Sequence, residues 1–97
     1  MAYQVVMSPK ANEFYSSVDE KSKRIVKRNL RELEEDPYPR PGSGRGDREK
    51  IVYQGEEVYR LHISRTYTAI YRVNDDNEQV RVLDLLRIDD AHKRYGY

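Results

Sequence analysis

The apolar positions follow the period of a strand first and that of a helix next. Tyr3, Val5 and Met7 share one face of an alternating stretch, which predicts a short strand over 3–7. Ser8-Pro9 comes after it, a serine suited to cap a helix and a proline suited to its first position. Ala11, Phe14, Tyr15 and Val18 then recur at i, i+3, i+4 and i+7, the apolar stripe of a brief helix. Ser17 and Glu20 stand at capping-box spacing and predict a restart into a second helix. Its inward stripe is Ile25, Val26, Leu30 and Leu33, while Lys23, Arg24, Lys27, Arg28 and Arg31 populate the solvent side. Pro37 forbids continuation, because proline lacks the N–H that the next turn requires. The two helices are expected to pack as an antiparallel hairpin on a sheet.

Residues 36–47 hold Pro37, Pro39 and Pro41 with Gly42, Gly44 and Gly46, a surface loop with Arg40, Arg45 and Arg48 in or beside it. Beyond it the period becomes two. Strands are predicted over 49–53 and 57–63 around a turn at Gln54-Gly55-Glu56, then over 66–73 and 79–86 around Asn74-Asp75-Asp76-Asn77. Val82, Leu83, Leu85 and Leu86 are almost continuously apolar, as a strand covered on both faces requires. In 57–63, Tyr59, Leu61 and Ile63 point one way and Val58, Arg60 and His62 the other. If the aliphatic face meets the helices, Arg60 and His62 project together from an open face that Thr68, Ile70 and Arg72 share. That face is expected to be partly basic and polar. Asp89 and Asp90 are expected to cap a final helical turn. The fold class is α+β: an N-terminal strand and a helical hairpin on a twisted, mainly antiparallel sheet of four to five strands.

Composition narrows the chemistry. The 97 residues make one domain, 1–97, with a small core, since 37% are hydrophobic and 36% charged. The absence of cysteine excludes disulfides, thiolate metal sites and cysteine nucleophiles. With two histidines and no cysteine, no metal and no cofactor are expected. No apolar run approaches the roughly 20 residues of a membrane span, and no signal-peptide order precedes the first strand, so a cytoplasmic protein without membrane contact is expected. A net charge of +1 does not by itself announce nucleic acid. Nine tyrosines against one phenylalanine and no tryptophan suit half-buried strands, interfaces or base stacking.

The order strand, helical hairpin, Pro/Gly loop and antiparallel strands resembles the RelE/ParE toxin superfamily of type II toxin–antitoxin systems, over nearly the whole chain. The resemblance is carried by Tyr59-Arg60-Leu61-His62-Ile63, by Tyr67-Thr68-Ala69-Ile70-Tyr71-Arg72-Val73, and by the tail Arg87-Ile88-Asp89-Asp90-Ala91-His92-Lys93-Arg94-Tyr95. It implies a toxin held by a cognate antitoxin. In the RelE-like branch it implies an endoribonuclease that cuts mRNA on the ribosome by metal-independent attack of a 2′-hydroxyl on the adjacent phosphate. Arg60 and His62 match the cationic pair of the second sheet strand, as phosphate contact and as base or charge stabiliser. Tyr95 matches the terminal tyrosine used for stacking or proton transfer. The arginine usual after the strand tyrosine is Thr68 here, and the one expected four residues before the terminal tyrosine is Ala91, where His92 or Arg87 would have to substitute. The candidate catalytic set is therefore Arg60, His62, Tyr95 and His92. Arg45, Arg48, Arg72, Arg87, Lys93 and Arg94 are candidates for RNA contact. Two alternatives stay open on these residues: a ParE-like inhibitor of DNA gyrase, or a member that binds antitoxin without nuclease activity.

Overall fold

Ser8 shows how the first elements are joined. Its hydroxyl accepts from the Ala11 amide (3.1 Å) and so caps the helix that Pro9 opens, while the same hydroxyl donates to the Leu83 carbonyl (2.8 Å). One side chain thus starts a helix and pins it to a strand some seventy residues away. The computed structural model describes residues 3–39, 48–53 and 55–95, the last without the side chain of Tyr95. In chain order these are β1 (Gln4–Met7), α1 (Pro9–Ser17), α2 (Glu20–Glu35), β2 (Arg48–Tyr53), β3 (Glu56–Ile63), β4 (Tyr67–Asn74), β5 (Gln79–Arg87) and α3 (Ile88–Tyr95).

The five strands form one sheet in the order β1-β5-β4-β3-β2, antiparallel except for β1 beside β5. This is the α+β architecture that the patterning predicts. The second helix starts differently from the expectation. Asp19, not Ser17, occupies the N-cap of α2, with the Lys23 amide donating to the Asp19 carbonyl (2.9 Å). Ser17 is the last residue of α1, and its hydroxyl bonds back to the Phe14 carbonyl.

On one side of the sheet α1 and α2 cover the main core. Val26, Leu30 and Leu33 meet Leu61, Ile63, Ala69, Tyr71, Val80, Val82 and Leu85 there. Packing continues on the other side, which corrects the expected open face. Ile51, Val58, Ile70 and Leu86 form a second apolar cluster, closed by Ala91 of α3. A bulge makes both possible. Ile70 pairs with Asp84 but Tyr71 pairs with Val82, so Leu83 is an extra residue on β5. Past it the alternation changes sides, which sends Leu85 to the hairpin core and Leu86 to the α3 core. The continuous apolar run of β5 is the record of that switch.

Tyrosines on the strands and loops tie the fold together. Tyr71 is fully buried and its hydroxyl donates to the Pro37 carbonyl (2.6 Å), which ties the end of α2 to the sheet. Tyr59 stacks on Tyr71 and meets Tyr38 edge-on, with ring centroids 5.5 and 5.6 Å apart. Tyr38 and Tyr3 donate to the two oxygens of Asp75, at 2.6 and 2.7 Å. These two bonds hold the Asp75 carboxyl below its ordinary range. Burial and the same carboxylate push the Tyr38 hydroxyl well above the usual phenol range. The signs give a two-sided pH dependence. The depressed Asp75 contributes stability above the unfolded carboxyl pKa, lost as pH falls through its lower folded value; the raised Tyr38 contributes stability below the unfolded phenol pKa, lost as pH rises through its higher folded value. Asp75→Asn is therefore expected to flatten the acid limb of the stability curve, read from thermal melts at falling pH.

Candidate functional site

Strand periodicity brings Arg60 and His62 to the α3 side of β3. Two residues apart on one strand, they stand one pleat repeat from each other, about 6.6–6.8 Å. His62 is half-buried and lies opposite Thr68; Arg60 lies between Ile70 of β4 and Glu49 of β2. The Arg60 side chain is 12% exposed and its guanidinium forms an ion pair with Glu49. Arg72, further along the same face on β4, makes the equivalent pair with Glu56. Each of the two arginines is thus already facing a carboxylate supplied by the strand hairpin.

The two positions where arginine is expected are packed. Thr68 is 1% exposed, and its hydroxyl donates to the Leu61 carbonyl (3.1 Å). Ala91 is 2% exposed and is the residue through which α3 sits on the sheet. Small side chains here let α3 come down onto Ile70 and Leu86. A long cation at either position would occupy the same space.

The remaining candidates divide by face. Ala91 points into the sheet, and at 100° per residue the next position turns away, so His92 is exposed. Asp89 and Asp90 lie inside the first turn of α3 and not at its cap, with His92, Lys93 and Arg94 in its last turn, the charge order a helix dipole favours. Arg94 reaches the buried Asp84 (2.6 Å), which also faces Lys10 of α1 (3.5 Å). These groups and Lys93 line a cleft of about 680 Å³ between α1 and α3, floored by Phe14, Leu85 and Leu86. Arg48 and Arg87 project from the other face. Arg48 pairs in register with Leu61, its side chain is 2% exposed and it faces Glu32 of α2 (3.7 Å). Arg87 lies over the ring of Tyr67, 5.8 Å from its centroid. Neither shares a surface with His62, nor does the basic run of α2. Arg45 and the side chain of Tyr95 lie outside the described residues.

Glu49, Glu56 and Asp84 face these cations without any mark in the sequence pattern that singles them out. Gly55 signals the turn, and its backbone is left-handed (φ 79°). β3 begins at Glu56, inside the turn expected over 54–56, and that register puts Glu49 opposite Arg60. Asp84 gave no such signal, because only the bulge turns it under α3. No group of three or more potential metal ligands occurs among the described residues, and none of their helices is long and apolar enough to cross a membrane.

The arrangement is a helical hairpin on one face of a five-stranded sheet, with a cationic strand and a closing helix on the other. Comparison with known proteins identifies it. The family model described as ParE toxin of type II toxin-antitoxin system, parDE, matches residues 5–92. The chain belongs to this family, within the RelE/ParE superfamily, and is a toxin of a type II toxin–antitoxin system. Comparison with curated proteins found no match. Among solved structures, the archaeal RelE-RelB complex from Pyrococcus horikoshii is similar at 25% identity and TM-score 0.71, over 90% of this chain and 96% of that one. The RelBE2 complex from Mycobacterium tuberculosis gives the same TM-score at 15% identity, over 90% and 99% of the two chains. The isolated RelE toxin of Escherichia coli is similar at 22% identity and TM-score 0.61, over 97% and 99%.

Proposed function

We propose that the chain is a ribosome-dependent mRNA endonuclease restrained by a cognate antitoxin. The observation that carries this reading is the pair Arg60 and His62, adjacent on one strand and facing the same side of the sheet, in a fold similar to RelE. Cleavage needs a base for the ribose 2′-hydroxyl and a cation for the charge that grows on the phosphate. His62 takes the 2′-proton as the 2′-oxygen bonds to phosphorus. Arg60 exchanges Glu49 for the phosphate and holds the developing negative charge. The bond to the 5′-oxygen breaks, leaving a 2′,3′-cyclic phosphate, and Tyr95 is proposed to return a proton to the leaving oxygen, since His92 turns away from the sheet. Arg72, Lys93 and Arg94 are proposed to hold the flanking backbone. Arg48 and Arg87, on the far face, are left out of this set.

A second reading has its own support. The matching family model is ParE, and both expected arginines are replaced by packed residues, which favours a ParE-like inhibitor of DNA gyrase. Induction of the toxin without its antitoxin separates the two. Growth arrest with new mRNA ends inside translated codons is expected. Intact messages with gyrase-dependent DNA breaks would select the second reading, and unimpaired growth would leave antitoxin binding alone.

A further inference from the structure

Arg72 of β4 and Arg81 of β5 are direct cross-strand partners. Like charges placed opposite each other destabilise an antiparallel pair, yet both side chains stand exposed here on the same side of the sheet as Arg60. Glu56 supplies one carboxylate and reaches Arg72. Arg81 has no ion-pair partner among the described residues. Two adjacent guanidinium groups thus stand against one paired carboxylate, that of Glu56, which reaches Arg72 from the β3 side. Arg72 is also one pleat repeat along β4 from Ile70, the register partner of Arg60. The two cationic positions thus recur along the strand direction at about 6.8 Å.

We infer that Arg72 and Arg81 form a phosphate subsite for single-stranded nucleic acid, adjoining the Arg60–His62 pair, with Glu56 occupying the place of a backbone phosphate. The inference rests on the proposed function for the choice of RNA, but its chemistry is that of any phosphodiester backbone. Guanidinium groups suit it because they bind phosphate oxygens bidentately. Neighbouring subsites would hold the strand in register across the sheet while the adjacent phosphate meets Arg60. Glu56 acts as an internal competitor: a chain that brings enough phosphates displaces it, and a single free anion gains little by doing so.

The test is equilibrium binding of a short, fluorescently labelled 2′-O-methyl RNA, which has no free 2′-hydroxyl and cannot be cleaved, and of single-stranded DNA of the same sequence. Affinity is followed between about 50 and 200 mM salt, the range over which counterion release is measured. Arg81→Gln is expected to weaken binding and to reduce the slope of log K against log salt by about 0.7, the value of one phosphate contact on a single strand. Glu56→Gln is expected to act in the opposite direction and tighten binding several-fold. Lys21→Gln, with the same loss of charge on α2, is expected to leave the slope unchanged. Equal behaviour of RNA and DNA is expected, since phosphate carries the contact. Wild-type protein without salt-dependent binding, the same slope in the Arg81 and Lys21 variants, no gain from Glu56→Gln, or an effect confined to RNA or to DNA would each overturn the inference. No step of the assay requires cleavage, so an inactive nuclease would count against the proposed function and leave the subsite standing.

Discussion

Replacing His62 with alanine is expected to lower the rate of mRNA cleavage by about 10²–10⁴-fold, the range for losing a positioned acid–base group. The loss should fall mainly on kcat, because proton transfer occurs in the transition state and not in the bound ground state. Arg60→Ala is expected to cost about 10²–10³-fold, as for an oxyanion donor. Arg60→Lys should recover little, since an ammonium lacks the planar fork that grips two phosphate oxygens. The measurement is single-turnover cleavage of a programmed ribosome, with thermal melts of each variant alongside. His62 is half-buried and Glu49 retains solvent access when Arg60 is lost, so melting temperatures should move little. Unaltered cleavage by both alanine variants would remove the pair from the chemistry and turn attention to gyrase.

Restoring arginine at position 91 is expected to damage the protein, not to improve it. Ala91 is 2% exposed and is the contact through which α3 closes the cluster of Ile51, Val58, Ile70 and Leu86. Overpacking a filled site costs about 1–3 kcal/mol, and a guanidinium without a buried partner adds a desolvation cost. Ala91→Arg should therefore lower stability by about 3 kcal/mol, equivalent to roughly 12 °C or more in Tm for a domain of this size. α3 gives way first. Amide exchange in α3 should accelerate well beyond that of β3 and β4, and cleavage should fall with it. A variant as stable as the parent and more active would show instead that α3 is readily lifted and that the missing arginine is a simple loss.

These expectations depend on how the chain's local signals combine. The strand and helix periods of 3–33, the stop at Pro37 and the alternation of β3 were legible in the sequence, because each depends on neighbours within a turn or two. The sides taken by Arg60, His62, Thr68 and Arg72 followed from the same alternation. What was not legible depended on the bulge. No local signal says that Leu83 is an extra residue, and without it Asp84 and Leu86 fall on the wrong side of the sheet. The same gap explains the expectation of a polar open face. Ile70 and Val58 look like isolated apolar residues until α3 folds back over them with Ala91.

The hairpin of helices, the antiparallel strands and the side of β3 from which Arg60 and His62 project follow from local pattern, since backbone sterics and period-two alternation act residue by residue. Long-range packing sets the rest: Arg60 and Arg72 face carboxylates from their neighbouring strands. It also buries Thr68 and Ala91 and sends Arg48 and Arg87 to the far face. Those outcomes rest on register, on one bulge and on a helix closing at long range, where contacts are made between residues whose local preferences carry no trace of each other.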